Sequence, residues 1–520
     1  MSLKMKQLKD LTLKEKIGQL IVVGFGTKEY DNQINHMVDN YSCGNAILFA
    51  RNYSDPKQMK KLCKDIHENI YKKTGVVPFI AIDQEGGMVT RMMSGVTFAP
   101  SQMSCSASSV NDAAYLSGKM LSRDMIRLGL NLDLAPCLEV NPNLSNPMVN
   151  IRSYSSNPVT AGNMAKRFIK GLSEYGVLGC TKHFPGCGEA DADDHLEITT
   201  INQSKEEIEK IGLVPFKMNI DTPSIMTCHS IFKDLDDVPS TLSKTVLQGL
   251  LRKEMGYKGL IISDCVEMKA IANFCGSANG AVRALVAGCD LILVCETWET
   301  QDEVFNALYK AVEDGVLKEE LIDEKVERIL SYKEKTLPYL EKYFFENNEE
   351  YVPSNENNEL AQEIVDKSIT VVKGKEPKLG KNTLVVAPIP TIASLVEESF
   401  EIRSLTNALK AKFPNNDIYE FVRTSEFKDF LLKEIEKHDD MIFFSYDASM
   451  DATQVEAINA LLETNKDIYV VSLKGPMDQS LFKNLKNYMC LYEYTPNSIR
   501  AIVKYLNNEI KVEGKLPYGD

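Results

Sequence analysis

The feature that most constrains the fold is a series of short apolar runs between residues 20 and 295. The runs are rich in β-branched residues and alternate with longer, charged segments of helical character. Runs that are apolar throughout are typical of parallel strands buried on both faces, with a helix crossing between successive strands. The runs span 20–25, 45–50, 76–82, 130–136, 177–182, 224–228, 259–263 and 291–295. Eight strand–helix units predict a (β/α)8 barrel.

A second, smaller unit is predicted to follow the barrel. A charged helical stretch ends near Leu337 and Pro338, and the polar, acidic residues 341–359 have the composition of a linker. From residue 360 the alternation resumes, with five apolar runs at 383–389, 417–422, 441–447, 467–473 and 489–494. The predicted fold class is α/β: a (β/α)8 TIM-type barrel over 1–340, a linker over 341–359 and a three-layer α/β/α sandwich domain over 360–520.

The chain is acidic, with 59 Lys and Arg residues against 73 Asp and Glu residues and a net charge of −14. Phosphate recognition needs concentrated positive charge, so nucleic acid is not expected as a partner. No run approaches the roughly 20 apolar residues of a membrane-spanning helix, and the first residues lack the apolar core of a signal peptide. The cysteines form no C-x-x-C pair, and several lie inside apolar runs, as reduced thiols do. We expect a cytoplasmic protein with neither membrane insertion nor an obligate protein partner.

Several chemically reactive side chains follow the predicted strands, where barrel enzymes carry their active sites. Asp83 follows the third run and Asp264 the seventh. The fifth run leads into Lys182 and His183, and His229 follows the sixth. A single histidine in such a place is more often a hydrogen-bonded framework residue. Histidines that occur with carboxylates at several strand ends indicate an active site instead.

Asp264 has two interpretations. A carboxylate at a strand end can attack the anomeric carbon of a sugar and form a covalent intermediate, while a second group protonates the leaving oxygen. Aspartate is also a favoured N-terminal capping residue of helices, and the position of Asp264 suits that role equally well. Position alone therefore does not decide between a nucleophile and a cap.

The loop 186–195 carries two glycines and four acidic residues before its histidine. Asp193 and His195 are two positions apart, so both side chains project to the same side of an extended backbone. A carboxylate that touches an imidazole fixes its tautomer and favours its protonated form, as an acid catalyst requires. A solvated acidic loop would show the same spacing, so the spacing leaves both interpretations open.

Two other kinds of site fit the sequence poorly. A metal site built from His183, His195, His229 and Asp264 would suit a barrel amidohydrolase, but such enzymes usually carry an H-x-H pair after the first strand, and this chain has none. The glycines of the 186–195 loop start a glycine-rich turn, but the third glycine of a dinucleotide-binding fingerprint is missing. Neither a metal nor a cofactor is expected.

Taken in order, the segments resemble glycoside hydrolase family 3, in its branch of bacterial β-N-acetylglucosaminidases (β-N-acetylhexosaminidases) that act on cell-wall fragments. Two segments are highly specific: KHFPGCGEADADDH at 182–195 and ISDCVEM at 262–268. The resemblance extends over nearly the whole chain. The other matching segments are IGQLIVVGF (17–25), AIDQEGGMVTRM (81–92), LDLAPCLEVN (132–141), NIRSY (150–154), SITVVKG (368–374) and GKLPYGD (514–520).

The resemblance implies roles for the matching residues. Asp264 would be the nucleophile that forms a glycosyl-enzyme intermediate, and His195, oriented by Asp193, would be the acid/base. The resemblance implies that no metal is needed. It also implies that the partner is a small carbohydrate that ends in N-acetylglucosamine (GlcNAc). The residues expected to hold the hydroxyl and acetamido groups of that sugar are Asp83, Arg91, Arg152, Lys182 and His183.

The implied activity is that of a retaining β-N-acetylglucosaminidase that removes terminal GlcNAc from muropeptides or chitooligosaccharides. The alternatives are a phosphorylase with phosphate as acceptor, another β-glycosidase, and a carbohydrate-binding protein without catalysis. A histidine acid/base permits phosphorolysis because it repels an incoming anion less than a carboxylate would. Cys187, Asp194 and Cys265 depart from the residues usual in the family, but every predicted catalytic group is retained.

Overall fold

A computed structural model describes residues 3–140, 149–186, 198–347, 349–389 and 404–518. The eight predicted runs form the eight parallel strands of a closed barrel. The strands are Ile21–Val23, Asn45–Leu48, Phe79–Ile82, Leu132–Asp133, Leu178–Phe184, Ser224–Thr227, Leu260–Cys265 and Leu291–Val294. They follow one another around the barrel in chain order, and the eighth pairs with the first to close it. The predicted (β/α)8 barrel is confirmed.

Amphipathic helices surround the strands. In Pro56–Thr74 the side chain of Asp55 accepts the backbone N–H of Gln58 at the start, and Gly75 ends the helix at a φ of 71°. Apolar residues of this helix, Ile66 among them, are buried in the core. The helices of this half are Leu13–Gln19, Asn32–Tyr41, Pro56–Thr74, Gln102–Ala107, Ala113–Leu128, Pro158–Ser173, Lys205–Lys210, Leu213–Met218, Thr245–Glu254, Lys269–Cys275, Ser277–Ala287, Trp298–Glu313 and Glu319–Leu340.

The second half of the chain contains a six-stranded sheet. In spatial order its strands are Thr370–Lys373, Asn487–Cys490, Asp467–Ser472, Asp440–Ser445, Thr383–Pro388 and Ile418–Phe421. Four of the five predicted runs coincide with strands of this sheet, and the fifth, 489–494, overlaps its strand only at Met489 and Cys490. The sixth, Thr370–Lys373, pairs antiparallel at one edge of the sheet. It is partly exposed, so it lacks the long apolar run that marks a central strand.

The helices of the second half form two groups, and the helices of each group pack against one another. Asn355–Asp366 and Ser404–Lys412 both pack on Pro496–Leu506, while Ser425–Ile435 packs on Ala452–Leu462. Within the described ranges, no helix is both long and apolar enough to cross a membrane.

The segment 341–359, predicted as a linker, contains helical structure at both ends. The last barrel helix includes Pro338 and continues as a wider helical turn over Glu341–Phe345, so the expectation that it ends near Pro338 is wrong. The next helix already begins at Asn355. The division into domains at 341–359 stays a prediction.

The two halves pack against each other on the side of the barrel where the strands end. Each half has its own apolar core. Four buried residues of the barrel half, Met88, Met103, Ala107 and Ile151, belong to the core of the second half. The loops that follow the third and fourth barrel strands are therefore held between the barrel and the second half.

Candidate active site

The C-terminal ends of the barrel strands surround a cavity of about 570 Å³. This volume lies in the range of pockets that bind small molecules. The predicted site residues that line the cavity are Asp83, Arg91, Arg152, Lys182, His183 and Asp264. The predicted acid/base His195 and its partner Asp193 lie outside the described residues. The structure thus brings six of the eight predicted residues to one cavity.

Irregularities in two barrel strands place side chains at this cavity. Between Thr181 and Phe184 the fifth strand advances three residues while the neighbouring strand advances two. The seventh strand shows the same irregularity around Ser263 and Asp264. An extra residue in a strand locally changes where its side chains point, and such bulges are common beside active sites. Lys182 and Asp264 both fall within these irregular segments and line the cavity.

Lys182 lies at the centre of a buried ion-pair cluster. Its Nζ donates to Asp83 Oδ1 at 2.6 Å and lies 2.9 Å from Glu85 Oε1. The side chain of Lys182 is only 3% exposed. Arg91 Nη2 lies 3.5 Å from the other oxygen of Asp83. One lysine therefore pairs with two carboxylates, of which Glu85 is fully buried and Asp83 faces the cavity.

Arg152 completes this cluster from the opposite loop. The short helical turn Asn150–Arg152 carries it between the fourth and fifth barrel strands. Its Nε donates to Glu85 Oε2 at 3.0 Å and its Nη2 donates to Glu85 Oε1 at 2.8 Å. A two-point contact of this kind fixes the orientation of both groups as well as their distance.

The cluster stays ionised over a wide pH range. Burial raises the pKa of Glu85, but Arg152 and Lys182 outweigh it and lower the pKa to about 2. Burial likewise raises the pKa of Asp83, yet Lys182 and Arg91 bring it well below its ordinary range. For Lys182 burial lowers the pKa, and the two carboxylates raise it well above its usual value. Near neutral pH the ionised side chains of the cluster present fixed charges to the cavity, and these charges can orient polar groups of a ligand.

His183 connects a further buried carboxylate, that of Glu139, to Asp264. Its Nδ1 lies 3.0 Å from Glu139 Oε1, and its Nε2 lies 4.0 Å from Asp264 Oδ2. Glu139 is buried and also accepts the Sγ–H of Cys137 at 2.9 Å. Burial raises the pKa of Glu139, but His183, Arg152 and the Cys137 thiol together outweigh it, so the pKa lies well below its ordinary range. The ionised Glu139 thereby orients the imidazole with Nε2 towards Asp264.

Asp264 presents a carboxylate to the cavity. Its side chain is 22% exposed, and its Oδ1 accepts the backbone N–H of Cys265 at 2.7 Å. The next helix, Lys269–Cys275, has Met268 at its N-terminal cap position. The capping interpretation of Asp264 is therefore wrong, and its carboxylate is available for chemistry.

Two side chains near Asp264 have framework roles. His229 Nδ1 lies 2.8 Å from Thr241 Oγ1, and its Nε2 lies 3.0 Å from the backbone oxygen of Cys265. Glu267 accepts the backbone N–H of Glu296 at 2.7 Å, which ties the loop after the seventh strand to the loop after the eighth. In the described part of the chain, no three His, Cys, Asp or Glu side chains are arranged as metal ligands would be.

Sequence reasoning assigned no role to two carboxylates of the site, Glu85 and Glu139. Both lie in segments that it quoted, directly after the third and fourth strands. The number of charged residues predicted at the site was the signal that could have indicated them. Three cations were predicted at the site, Arg91, Arg152 and Lys182, and Asp83 was the one predicted carboxylate without a catalytic assignment that could pair with them. Buried cations need paired anions, so additional carboxylates were to be expected.

Known proteins are similar to this chain over most of its length. The model of the glycosyl hydrolase family 3 N-terminal domain matches residues 12–332. A β-hexosaminidase from Tolumonas auensis is 35% identical over 272 residues, which cover 51% of this chain and 80% of the relative. A β-hexosaminidase from Haemophilus influenzae is 32% identical over 295 residues, which cover 55% of this chain and 82% of the relative.

Solved structures extend the similarity to the second half. A glycoside hydrolase family 3 β-N-acetylglucosaminidase from Paenibacillus sp. superposes with a TM-score of 0.89 and 32% identity, covering 98% of this chain and 99% of that chain. A β-glucoside phosphorylase shares the fold at a TM-score of 0.79 and 22% identity, covering 98% and 95% of the two chains. With a family match over more than half of its length, this chain belongs to glycosyl hydrolase family 3.

Proposed function

We propose that the protein is a retaining β-N-acetylglucosaminidase that releases terminal GlcNAc from muropeptide or chitooligosaccharide-type substrates. The observation that carries the proposal is the convergence of Asp264, His183 and the Lys182 ion-pair cluster on one cavity of about 570 Å³. The whole-chain similarity to a solved β-N-acetylglucosaminidase supports the choice of sugar. A β-hexosaminidase activity is also the one carried by the bacterial relatives.

The reaction follows from an accessible carboxylate and a separate proton donor. An oxygen of Asp264 attacks C1 of the bound sugar while the bond from C1 to the glycosidic oxygen breaks. His195, oriented by Asp193, gives a proton to the departing oxygen. In the second step His195 removes a proton from water, the water oxygen bonds to C1, and the Asp264 carboxylate leaves. Two displacements at C1 restore its original configuration.

The remaining predicted residues hold the sugar during these steps. Asp83 can accept hydrogen bonds from hydroxyl groups, and Arg91 and Lys182 can donate to hydroxyl or acetamido oxygens. The ion pairs keep these side chains in place before the sugar arrives, so little ordering is required on binding. His183, held by Glu139, lies beside the carboxylate of Asp264 and can contact a hydroxyl close to C1.

We also propose separate roles for the two domains and a cellular location for the protein. The barrel, predicted over 1–340, carries the nucleophile, and the domain predicted over 360–520 supports its loops. We place the protein in the cytoplasm because the eleven cysteines in the described ranges are free thiols and most of them are buried.

Loss of the proposed proton donor is expected to depend on the leaving group. His195→Ala should lower kcat/KM by roughly 10²–10⁴-fold for an unactivated GlcNAc disaccharide, because its departing oxygen needs a proton. The loss should be much smaller for 4-nitrophenyl β-N-acetylglucosaminide, whose phenolate leaves unaided. His36→Ala provides a matched control, because His36 pairs with Asp302 away from the cavity. Equal losses on both substrates, or wild-type activity of His195→Ala on the disaccharide, would contradict the assignment.

The acceptor of the second step is tested by product analysis. The wild-type protein is incubated with a GlcNAc disaccharide with and without inorganic phosphate, and the products are identified by NMR. We expect free GlcNAc, formed first as the β-anomer, under both conditions. GlcNAc-1-phosphate as the main product would make the protein a phosphorylase and would overturn the hydrolase proposal. Release of an inverted product would overturn the retaining mechanism.

A further inference from the structure

A buried carboxylate of the second half reaches across to the barrel half. Glu493, just after the sheet strand Asn487–Cys490, has no solvent exposure. Its Oε2 accepts the backbone N–H of Ser101 at 2.6 Å and the hydroxyl of Ser104 at 2.9 Å. Its Oε1 accepts the hydroxyl of Thr495 at 2.6 Å. Glu493 thus fixes the start of the barrel-half helix Gln102–Ala107 from the other side of the interface.

The first residue of that helix holds the loop that carries Glu139. Gln102 Nε2 donates to the backbone oxygen of Cys137 at 2.7 Å, and its Oε1 accepts the backbone N–H of Cys137 at 2.9 Å. The Cys137 thiol donates to Glu139, which in turn holds His183 beside Asp264. A continuous series of short contacts therefore connects Glu493 to the carboxylate at the cavity.

The same helix start also supports the loop that carries Glu85. Gly87 N–H donates to the backbone oxygen of Ala99 at 2.9 Å. A Cβ on Gly86 would come within 2.3 Å of the backbone oxygen of Pro100, so the two segments are in close contact. Displacement of Ser101 would consequently disturb Gly86, the neighbour of Glu85. Both carboxylate loops of the site are thus connected to the buried contact between Glu493 and Ser101.

We propose that Glu493 is a positioning residue of the active site, acting through Gln102 on Glu139 and His183. The inference rests on the proposed function for its kinetic consequences. It gives the second half a defined role in the reaction, although Glu493 itself does not touch the cavity. It also predicts that the hydrogen bonds accepted by Glu493 matter more than its charge, because each of its three partners is a neutral donor.

Glu493→Ala is expected to lower kcat/KM for an aryl β-N-acetylglucosaminide by about 10- to 100-fold, the effect of a shift of about 1 Å at catalytic groups. Glu493→Gln should stay within about threefold of wild type, because its amide oxygen can accept from Ser101 while its amide nitrogen donates to the Thr495 hydroxyl. Assays are run well below the melting temperature of each variant. If Glu493→Ala does not fold, Glu493→Asp, which retracts the carboxylate, takes its place.

A matched control comes from another carboxylate at the same interface. Glu513 Oε2 accepts the Ser109 hydroxyl at 2.7 Å, also between the halves, but this contact is exposed and is not one of those that connect Glu493 to Glu139. Glu513→Ala should leave kcat/KM unchanged. An equal loss in Glu513→Ala and Glu493→Ala would show general loosening of the interface and would overturn the positioning role.

A double-mutant cycle tests the route through Gln102. Gln102→Leu, Glu493→Ala and the double variant are compared by kcat/KM. If Glu493 acts through Gln102, the double variant loses no more than the more impaired single variant. Losses that add on a logarithmic scale would overturn the proposal, because two independent structural defects are expected to add.

A readout without substrate separates this inference from the proposed function. The backbone N–H of Cys137 is held by Gln102, so Glu493→Ala should speed hydrogen exchange in peptides that cover 135–140, while Glu493→Gln and Glu513→Ala should not. Unchanged exchange in Glu493→Ala overturns the positioning role. Absence of turnover by the wild-type protein, with faster exchange in Glu493→Ala, overturns the proposed function and leaves the positioning role supported.

Discussion

Asp264→Asn is expected to lower kcat/KM for 4-nitrophenyl β-N-acetylglucosaminide by about 10⁴-fold or more, without loss of the fold. An amide oxygen is a very weak nucleophile, and loss of a nucleophile removes most of the rate enhancement of a covalent mechanism. Asparagine has nearly the same shape and can still accept the backbone N–H of Cys265. The melting temperature should therefore remain close to that of the wild-type protein.

The matched control for this variant is Glu296→Gln. Glu296 also lines the cavity, but its carboxylate is largely exposed and pairs with Arg51 at the rim. Its loss of charge should change kcat/KM only a few-fold, because an exposed ion pair contributes little. Wild-type activity in Asp264→Asn would show that Asp264 is not the nucleophile. Similar losses in both variants would show that negative charge around the cavity, and not a nucleophile at Asp264, accounts for the loss.

Lys182→Met is expected to have the largest effect on stability, about 3 kcal/mol or more at pH 7. The side chain is buried and contacts both Asp83 and Glu85 within 3 Å. Its removal leaves two buried carboxylates with less compensating positive charge, although Arg91 and Arg152 remain beside them. Breaking one partner of a buried ion pair costs several kcal/mol for this reason.

The cost should depend on pH in a defined direction. In the wild-type protein the folded pKa of Glu85 is about 2, below its ordinary value of 4.5. The ion pairs of Glu85 with Lys182 and Arg152 therefore contribute stability that is present above about pH 4.5 and is lost as the pH falls towards 2. Without Lys182 the folded pKa values of Asp83 and Glu85 rise, so the two carboxylates take up protons at a higher pH. The destabilisation should be greatest between pH 6 and 8 and smaller at pH 4.

Urea unfolding at pH 7 and pH 4 measures both parts of this prediction. Lys61→Met is the matched control: Lys61 lies 2.6 Å from Asp65, the same distance as in the Lys182–Asp83 pair, but its side chain is 74% exposed. Its loss should change the unfolding free energy by less than about 1 kcal/mol at either pH. A Lys182→Met variant as stable as Lys61→Met, or one equally destabilised at both pH values, would contradict the account of the cluster.

Most of the fold could be predicted because most residues of the barrel strands are buried on both faces. A strand buried on both sides, such as Leu291–Val294, appears in the sequence as an uninterrupted apolar run. Thr370–Lys373 was not predicted because an edge strand needs only one buried row of side chains. The end of the last barrel helix was also misplaced. Proline usually ends a helix, yet Pro338 is accommodated inside one whose following turn is wider.

The site was predictable where a residue follows a strand or belongs to a specific segment. Asp264 satisfied both conditions, and Lys182 ends a predicted run and belongs to a specific segment. Glu139 and Glu85 were missed because their importance depends on which cations they face, and partner identity arises only when separate loops come together. Glu493 lies far along the chain from Ser101, so no local pattern in the sequence could connect them. Long-range contacts of this kind are visible only in three dimensions.

The central claim is that Asp264 forms a covalent bond to the sugar, and trapping that bond tests it most directly. The protein is incubated with a fluorinated β-N-acetylglucosaminyl fluoride, which forms the intermediate faster than it is hydrolysed, and is then digested for mass spectrometry. We predict one added sugar on the peptide that contains Asp264, and none in Asp264→Asn. A sugar attached to a different residue of the wild-type protein would contradict the account.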